Sequence, residues 1–285
     1  MVAIRKMKKT TFLLSDEGYK SIQRYFLENF ALVLNGDITD QKLSRLELLC
    51  REENVKTPLD LLNTDFGTDV STGLSKLISI FTINHTDFFR EQLHFDFFIS
   101  DILPNLSLNN GPFKENDIRI WSAASSTGEE AYSILMAMID YFGDDYWSLN
   151  AGVLATDIDK EALSKGIAGL FKNSKIKKLS NNQISKYFSR LNDREYLIQE
   201  KLRNEVLFRW LNLNSSYFPM KNNFHVIFCR NVLQYFPISS RGKIVQKLSD
   251  CLFNNGYLFL GISETYIMEQ HDLIRVGPAI YKIMK

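Results

Sequence analysis

The stretch Arg119–Asp140, "RIWSAASSTGEEAYSILMAMID", decides how the rest of the chain is read. It begins as a short apolar run of the kind that forms a buried strand, turns through small polar residues and one glycine, and goes on with the spacing of an amphipathic helix. Strand, small-residue turn and helix in that order form the cradle where doubly wound folds hold a nucleotide-like ligand. The turn from Ser122 to Gly128 lacks the G-x-G-x-x-G spacing and carries no lysine. Phosphate sites use the exposed amides of a helix N-terminus and usually add Lys or Arg. Here the helix mouth carries Glu129 and Glu130, which would repel a pyrophosphate and suit an ammonium or sulfonium group. Both also fit capping boxes behind Ser126 and Thr127, and acids in a first turn suit the helix dipole whatever is bound. Spacing leaves cap and ligand both open.

Downstream the same alternation continues. Strand-like runs stand at 151–156 ("AGVLAT"), 205–213 ("EVLFRWLNL"), 225–230 ("HVIFCR") and 256–263 ("GYLFLGIS"), with a final one at 275–284 ("RVGPAIYKIM"). Helical segments at 130–142, 160–166 and 239–252 lie between several of them. The pattern predicts an α/β fold with a mostly parallel, doubly wound sheet whose last strand is antiparallel at or near an edge. "AGVLATDIDKEAL" ends its strand with Asp157 and Asp159. An acid after the second strand is the usual partner of ribose hydroxyls; Asp157, nearer the strand, takes that role and Asp159 that of helix cap. The polar, lysine-rich insertion at 172–201 reads as a small subdomain.

Upstream, the first hundred residues show helical spacing only. Ser15 is placed to cap a helix carrying Tyr19, Ile22, Tyr25, Phe26 and Phe30, and "TDQKLSRLELLCREEN" (39–54) repeats the signal. Thr57-Pro58 makes a favourable helix start. A further helical stretch breaks around Thr82–Asn84, and "NLSLNNGPFKEND" (105–117), with its Gly-Pro pair, reads as a linker. The formal charge of +1 argues against wholesale nucleic-acid binding. Three distant cysteines without C-x-x-C, and four scattered histidines without H-E-x-x-H, point to neither a disulfide framework nor a metal site. No apolar run approaches the ~20 residues needed to cross a bilayer. A cytoplasmic protein without direct membrane insertion is expected.

Six stretches in order, "NHTDFFRE", "RIWSAASSTGEEAYSI", "LATDIDKEAL", "WLNL", "VIFCRNVLQYF" and "GYLFLGISET", running from Asn84 to Thr265, resemble the CheR-type chemoreceptor glutamate methyltransferases. The resemblance implies a Rossmann-like class I methyltransferase sheet with a small inserted β-subdomain, preceded by an all-α N-terminal domain. It divides the chain into helical residues 1–83, a linker helix and loop at 84–116, and a methyltransferase domain at 117–285 with its insertion at about 172–204. It implies S-adenosylmethionine as cofactor, S-adenosylhomocysteine as product, and methyl esters of receptor glutamates as the outcome, in chemotaxis or related signalling.

At matching positions the resemblance implies cofactor contacts from Asn84, Thr86 and Arg90, acidic contacts from Glu129 and Asp157, and adenine-side and methionine-side contacts from Asn212, Leu213, Asn231 and Val232. Arg90 and Tyr235 match the pair closest to methyl transfer. Basic helices of the family's N-terminal domain meet the acidic face around receptor methylation sites. Here Arg5, Lys6, Lys8, Lys9, Lys42, Arg45 and Arg51 are available, interrupted by Glu47, Glu52 and Glu53. Recruitment to receptor arrays is expected. The insertion, short and without glycine, predicts no tethering to a receptor's C-terminal pentapeptide. Two other readings are a non-catalytic S-adenosylmethionine-binding signalling module, disfavoured by Arg90 and Tyr235, and a nicotinamide-dependent oxidoreductase, disfavoured by the acidic turn.

Overall fold

A computed structural model describes residues 14–62, 71–106, 117–267 and 273–284. Helix α1 (Asp16–Phe30) starts where Ser15 accepts a hydrogen bond from the Gly18 amide, the N-cap its sequence predicts. Thr39 and Ser71 cap α2 (Asp40–Glu52) and α3 (Thr72–Phe81) in the same way. The apolar stripes of the three helices meet in one buried cluster that includes Ile22, Phe26, Leu46, Leu49, Leu77 and Phe81. The Thr57-Pro58 start yields only a 3-10 turn, Pro58–Leu61, closed by the Asp60 carboxylate accepting from the Thr57 amide.

Residues 82–91 carry no helix. Helix α4 (Gln92–Phe97) then passes through a π turn, Phe98–Ile102, into α5 (Leu103–Leu106). The expected linker lies mostly outside the described residues, as do Arg5, Lys6, Lys8 and Lys9.

From there strands and helices alternate: β1 (Asp117–Ala123), α6 (Glu129–Phe142), β2 (Asn150–Asp157), α7 (Lys160–Ala168), β3 (Leu170–Lys172), α8 (Asn173–Ile176), α9 (Asn181–Tyr187), β4 (Phe188–Arg190) and β5 (Glu195–Ile198). They continue with α10 (Glu200–Arg203), β6 (Val206–Trp210), β7 (Phe224–Cys229), α11 (Ile238–Asp250), β8 (Leu252–Leu260), β9 (Leu273–Gly277) and β10 (Ile280–Ile283). Seven strands form the main sheet in the order β6-β2-β1-β7-β8-β10-β9. The first five are parallel, while β10 runs antiparallel to both its neighbours. Side-chain alternation along β1 feeds both faces: Ile118 and Ile120 join the core beneath α6, whereas Trp121 and Ala123 join the core on the opposite face. All six residues of β7 are buried, as the central position of a parallel sheet requires.

The chain winds from β1 toward β2 on one side and resumes at β7 on the other, so the order reverses between β1 and β7. That reversal opens a crevice at the carboxyl ends of the strands. The inserted subdomain is a separate antiparallel sheet, β3-β5-β4, beginning at Leu170. Two sequence readings need correction. The stretch 275–284 is not one strand but the arms of a hairpin, broken at Gly277-Pro278-Ala279 because proline lacks an amide and Ala279 takes a positive φ of 56°. Helix α11 ends at Asp250, leaving Leu252 to open β8. No described helix is long and apolar enough to cross a membrane.

Candidate active site

The turn after β1 is curled by three residues with positive φ, Ala124 (62°), Ser126 (52°) and Gly128 (93°). At Gly128 a Cβ would stand 3.0 Å from the Phe208 ring and 3.2 Å from Gly166 Cα, so the entry of α6 packs against α7 only without a side chain there. A curled turn of this kind exposes amides to an anion. Here the anion is internal: the Ser126 amide donates to Asp157 Oδ2 at 2.8 Å, and the Asp159 amide donates to the other oxygen at 2.9 Å. The turn cannot serve a pyrophosphate without displacing a carboxylate of its own sheet. Burial pushes the Asp157 carboxyl up to about 6, against the amides that favour its charge.

At the reversal of strand order lies a cleft of about 200 Å³. One wall comes from the helical region, with Phe30, Leu32, Val33, Lys42 and Phe81; the floor comes from the ends of β1, β2, β6 and β7. Nine of the ten residues singled out from the sequence line it: Asn84, Thr86, Arg90, Asp157, Asn212, Leu213, Asn231, Val232 and Tyr235. They come from four separate segments, and neighbouring bonds hold most of them in place. Asn84 donates to Asp159 at 2.6 Å and accepts from Ser126 Oγ at 3.0 Å. Asn212 donates to the Asn29 carbonyl at the end of α1, 3.1 Å away. Arg90 donates to the His85 carbonyl at 2.8 Å, and the Tyr235 carbonyl accepts from the Val33 amide at 2.9 Å.

Glu129 is the exception, because one residue along a helix is a turn of about 100°. The glutamate that lines the cleft is Glu130, which accepts from Ser122 Oγ at 2.7 Å and from Arg230 Nη1 at 3.0 Å. Glu129 points away, 1% exposed, with Thr127 Oγ1 donating to it and Lys175 Nζ at 3.4 Å. Burial pushes both carboxyls above the usual range; for Glu130 it outweighs Arg230, and for Glu129 it outweighs Thr127 and Lys175.

Three residues at the site escaped the sequence reading. Arg230 is buried and joins Glu130 to Glu91 Oε2 (2.9 Å) while also donating to the Arg90 carbonyl. Glu91 in turn accepts from Asn231 Nδ2 at 3.0 Å. Burial works to raise the Glu91 carboxyl, but Arg230 and Asn231 hold it below the usual range. Glu264, wholly buried, accepts from the amides of Gly261 and Asn231, both at 2.8 Å, and of Gln234 at 3.3 Å. Arg230 sits beside Asn231 in "FCRNV", where a charged residue directly after a buried strand was the available signal, whereas Glu264 in "GISET" stands four residues past its strand and gave none.

The residues fit an adenosyl sulfonium ligand. Two carboxyl groups, the half-buried Glu130 and the buried Asp157, face a cleft whose turn amide is already committed to Asp157. Ser125 Oγ, buried in the lining, has no hydrogen-bond partner among the described residues and is placed to meet a polar ligand atom.

Comparison with known proteins agrees with this chemistry. The family described as "CheR methyltransferase, SAM binding domain" matches residues 84–280. A chemotaxis protein methyltransferase from Borreliella burgdorferi is 36% identical over 242 residues, covering 84% of each chain. Its counterpart from Escherichia coli is 31% identical and covers 95% of this chain and 92% of its own. One from Pseudomonas aeruginosa is 32% identical, with 90% and 94% covered.

Proposed function

The chain belongs to the CheR methyltransferase family, and from that membership we propose that it methylates the side-chain carboxylates of glutamates in chemoreceptors. It is an S-adenosylmethionine-dependent methyltransferase of chemotaxis. The products are glutamate methyl esters and S-adenosylhomocysteine, and the protein works in the cytoplasm at receptor arrays. The observation that carries this reading is the meeting of Arg90 and Tyr235, from distant segments, on the lining of one cleft with Asp157 and Asn231.

S-adenosylmethionine supplies the methyl group as a sulfonium electrophile. The chain's own contribution is placement. A glutamate is ionised at neutral pH, so no general base has to remove a proton. Holding attacking oxygen, carbon and leaving sulfur in line can contribute about 7–11 kcal/mol. In our reading Arg90 and Tyr235 orient the incoming carboxylate, Asp157 accepts from ribose hydroxyls, and Asn212 with Leu213 borders the adenine. Asn84, Thr86, Glu130, Asn231 and Val232 complete the cofactor's surroundings. Excess stabilisation of a carboxylate and a sulfonium that lose their charges together would slow the step. The partial exposure of Arg90 and Tyr235 avoids burying such an ion pair.

Of the described basic residues facing an acidic receptor surface, Lys42 lines the cleft, Arg45 donates to the Ser79 carbonyl at 3.3 Å, and Arg51 pairs with Glu47 at 2.5 Å. Among the described residues Lys42 is therefore the cation best placed to meet that surface, and the inserted subdomain acts without a pentapeptide tether. The test is transfer of labelled methyl from S-adenosylmethionine to receptor cytoplasmic fragments. We expect label on glutamate side chains, released as methanol in mild alkali. Label that survives alkali, or none on receptor fragments while the chain binds the cofactor, would contradict the substrate assignment.

A further inference from the structure

The inserted subdomain meets the segment that lines the cofactor cleft through Lys175, through Lys178, and through Phe88, whose ring packs edge-on against Phe171 and Phe188. Lys175 stands on α8, between β3 and the rest of the insertion, and its ammonium meets three groups outside the subdomain. It donates to the Thr86 carbonyl, lies 3.4 Å from Glu129 Oε1, and lies 3.6 Å from Asp87 Oδ1. Thr86 belongs to the 84–90 segment that lines the cleft, and Glu129 opens α6 directly after the cofactor turn. One cation thus ties the cofactor segment, the mouth of α6 and the insertion together.

The burial pattern shows what this junction requires. Glu129 is almost fully buried and aims away from the cleft, where an unpaired carboxylate is costly. Lys175 is its cationic partner, and the same ammonium donates a hydrogen bond to the Thr86 carbonyl, which lies outside any strand or helix. Lys178 approaches the same segment more closely at Asp87, 2.8 Å away, but from a side chain 69% exposed. The 84–91 segment needs such anchors because it contains two left-handed residues, Phe89 and Glu91, and no regular backbone pairing. On its far side the Phe89 amide donates to Ser133 Oγ of α6 at 2.9 Å, so Lys175 completes a second attachment at the Thr86 end.

We propose that Lys175 is a positioning residue of the cofactor site, with Glu129 as its buried counter-charge, so that the inserted subdomain holds the cofactor segment in its binding shape. The inference rests on the assignment of the cleft as the S-adenosylmethionine site. A displacement of α8 by anything that binds the subdomain would be felt as a change in cofactor affinity.

The test compares S-adenosylhomocysteine binding by calorimetry in the full chain and in K175M, K175R, E129Q and K178M, with the melting temperature of each. K175M is expected to weaken binding by ten-fold or more at temperatures far below its melting point, while turnover at saturating cofactor stays within about three-fold. K175R, which keeps a cation within reach, recovers most of the affinity. K178M shifts binding by less than three-fold. In the double variant K175M/E129Q, part of the loss in melting temperature is relieved and the loss in affinity is not, since the Thr86 anchor is still missing. Parental affinity in a folded K175M, or an affinity loss that E129Q fully restores, would overturn the proposal. Failure of the parent chain itself to bind S-adenosylhomocysteine would instead count against the cofactor assignment.

Discussion

Asp157 shows how much one residue's environment decides. Its carboxyl is held up at about 6 by burial, and hydroxyl donors from a ribose favour the ionised form. The proton carried at pH 5 has left by pH 7, so affinity for S-adenosylhomocysteine should rise as pH climbs through about 6. Below that point it should fall by about ten-fold per pH unit. Calorimetry across pH 5 to 7.5 would display this step, and D157N should bind weakly with the step removed. A flat profile in the parent would show that Asp157 does not receive the ligand. Glu129 and Glu130 invite a second comparison. E130Q alters the cleft lining and the Arg230 pair, and should weaken the cofactor more than E129Q at equal temperature. Capping spacing could not tell the two glutamates apart, and the resemblance pointed to Glu129. What separates them is the helical step that turns one toward Arg230 and the other toward Lys175.

Among elements, the turn after β7 carries the clearest consequence. Asn231 has a φ of 58°, and the buried Glu264 carboxylate holds it by collecting three amides around it. A Cβ at Gly261 would lie 2.6 Å from Glu264 Oε2 and 2.9 Å from the Asn231 amide. G261A is therefore expected to cost about 1–3 kcal/mol through overpacking and to weaken the cofactor as well. G242A, on the half-buried face of α11 with nothing within 4 Å of the added carbon, should stabilise by about 0.5–1 kcal/mol. Denaturant midpoints at unchanged slope would check both signs. Strands and helices were legible because hydrophobic period and caps are local signals: Ser15 and Asp159 both cap where their spacing indicates. The 84–91 segment was not. Nothing about phenylalanine or glutamate announces a left-handed backbone, and the contacts that hold Phe89 and Glu91 there include those from Ser133, Arg230 and Asn231 of distant elements.

Across the whole molecule, one carboxylate joins the helical region to the sheet. Asp159 caps α7 and also accepts from Ser79 and Thr82 of the helical region and from Asn84 of the cleft. Burial works to raise its carboxyl, but those hydrogen bonds hold it below the usual range. The sign follows: its contribution to stability is present above the ordinary aspartate value of ~3.9 and fades as pH falls toward the depressed one. D159A, which strands several buried donors, should cost about 3 kcal/mol or more. It should also remove the corresponding part of the acid-unfolding profile. Sequence spacing showed the cap but not the clamp, because the partners lie 75 or more positions upstream. The ordered motifs brought nine site residues to one cleft, whereas the helical wall formed by Phe30, Val33 and Lys42 emerges only when α1 and α2 dock on the strand ends.

We propose that a methyl group passes to a carboxylate in this cleft under the guidance of Arg90 and Tyr235. Single-turnover methylation of receptor fragments by R90A and Y235F, alongside S-adenosylhomocysteine affinity, tests that most directly. The prediction is a fall in the chemical step of about a hundred-fold with only a several-fold loss of affinity, the mark of an interaction made in the transition state. Parental turnover in both variants would contradict it.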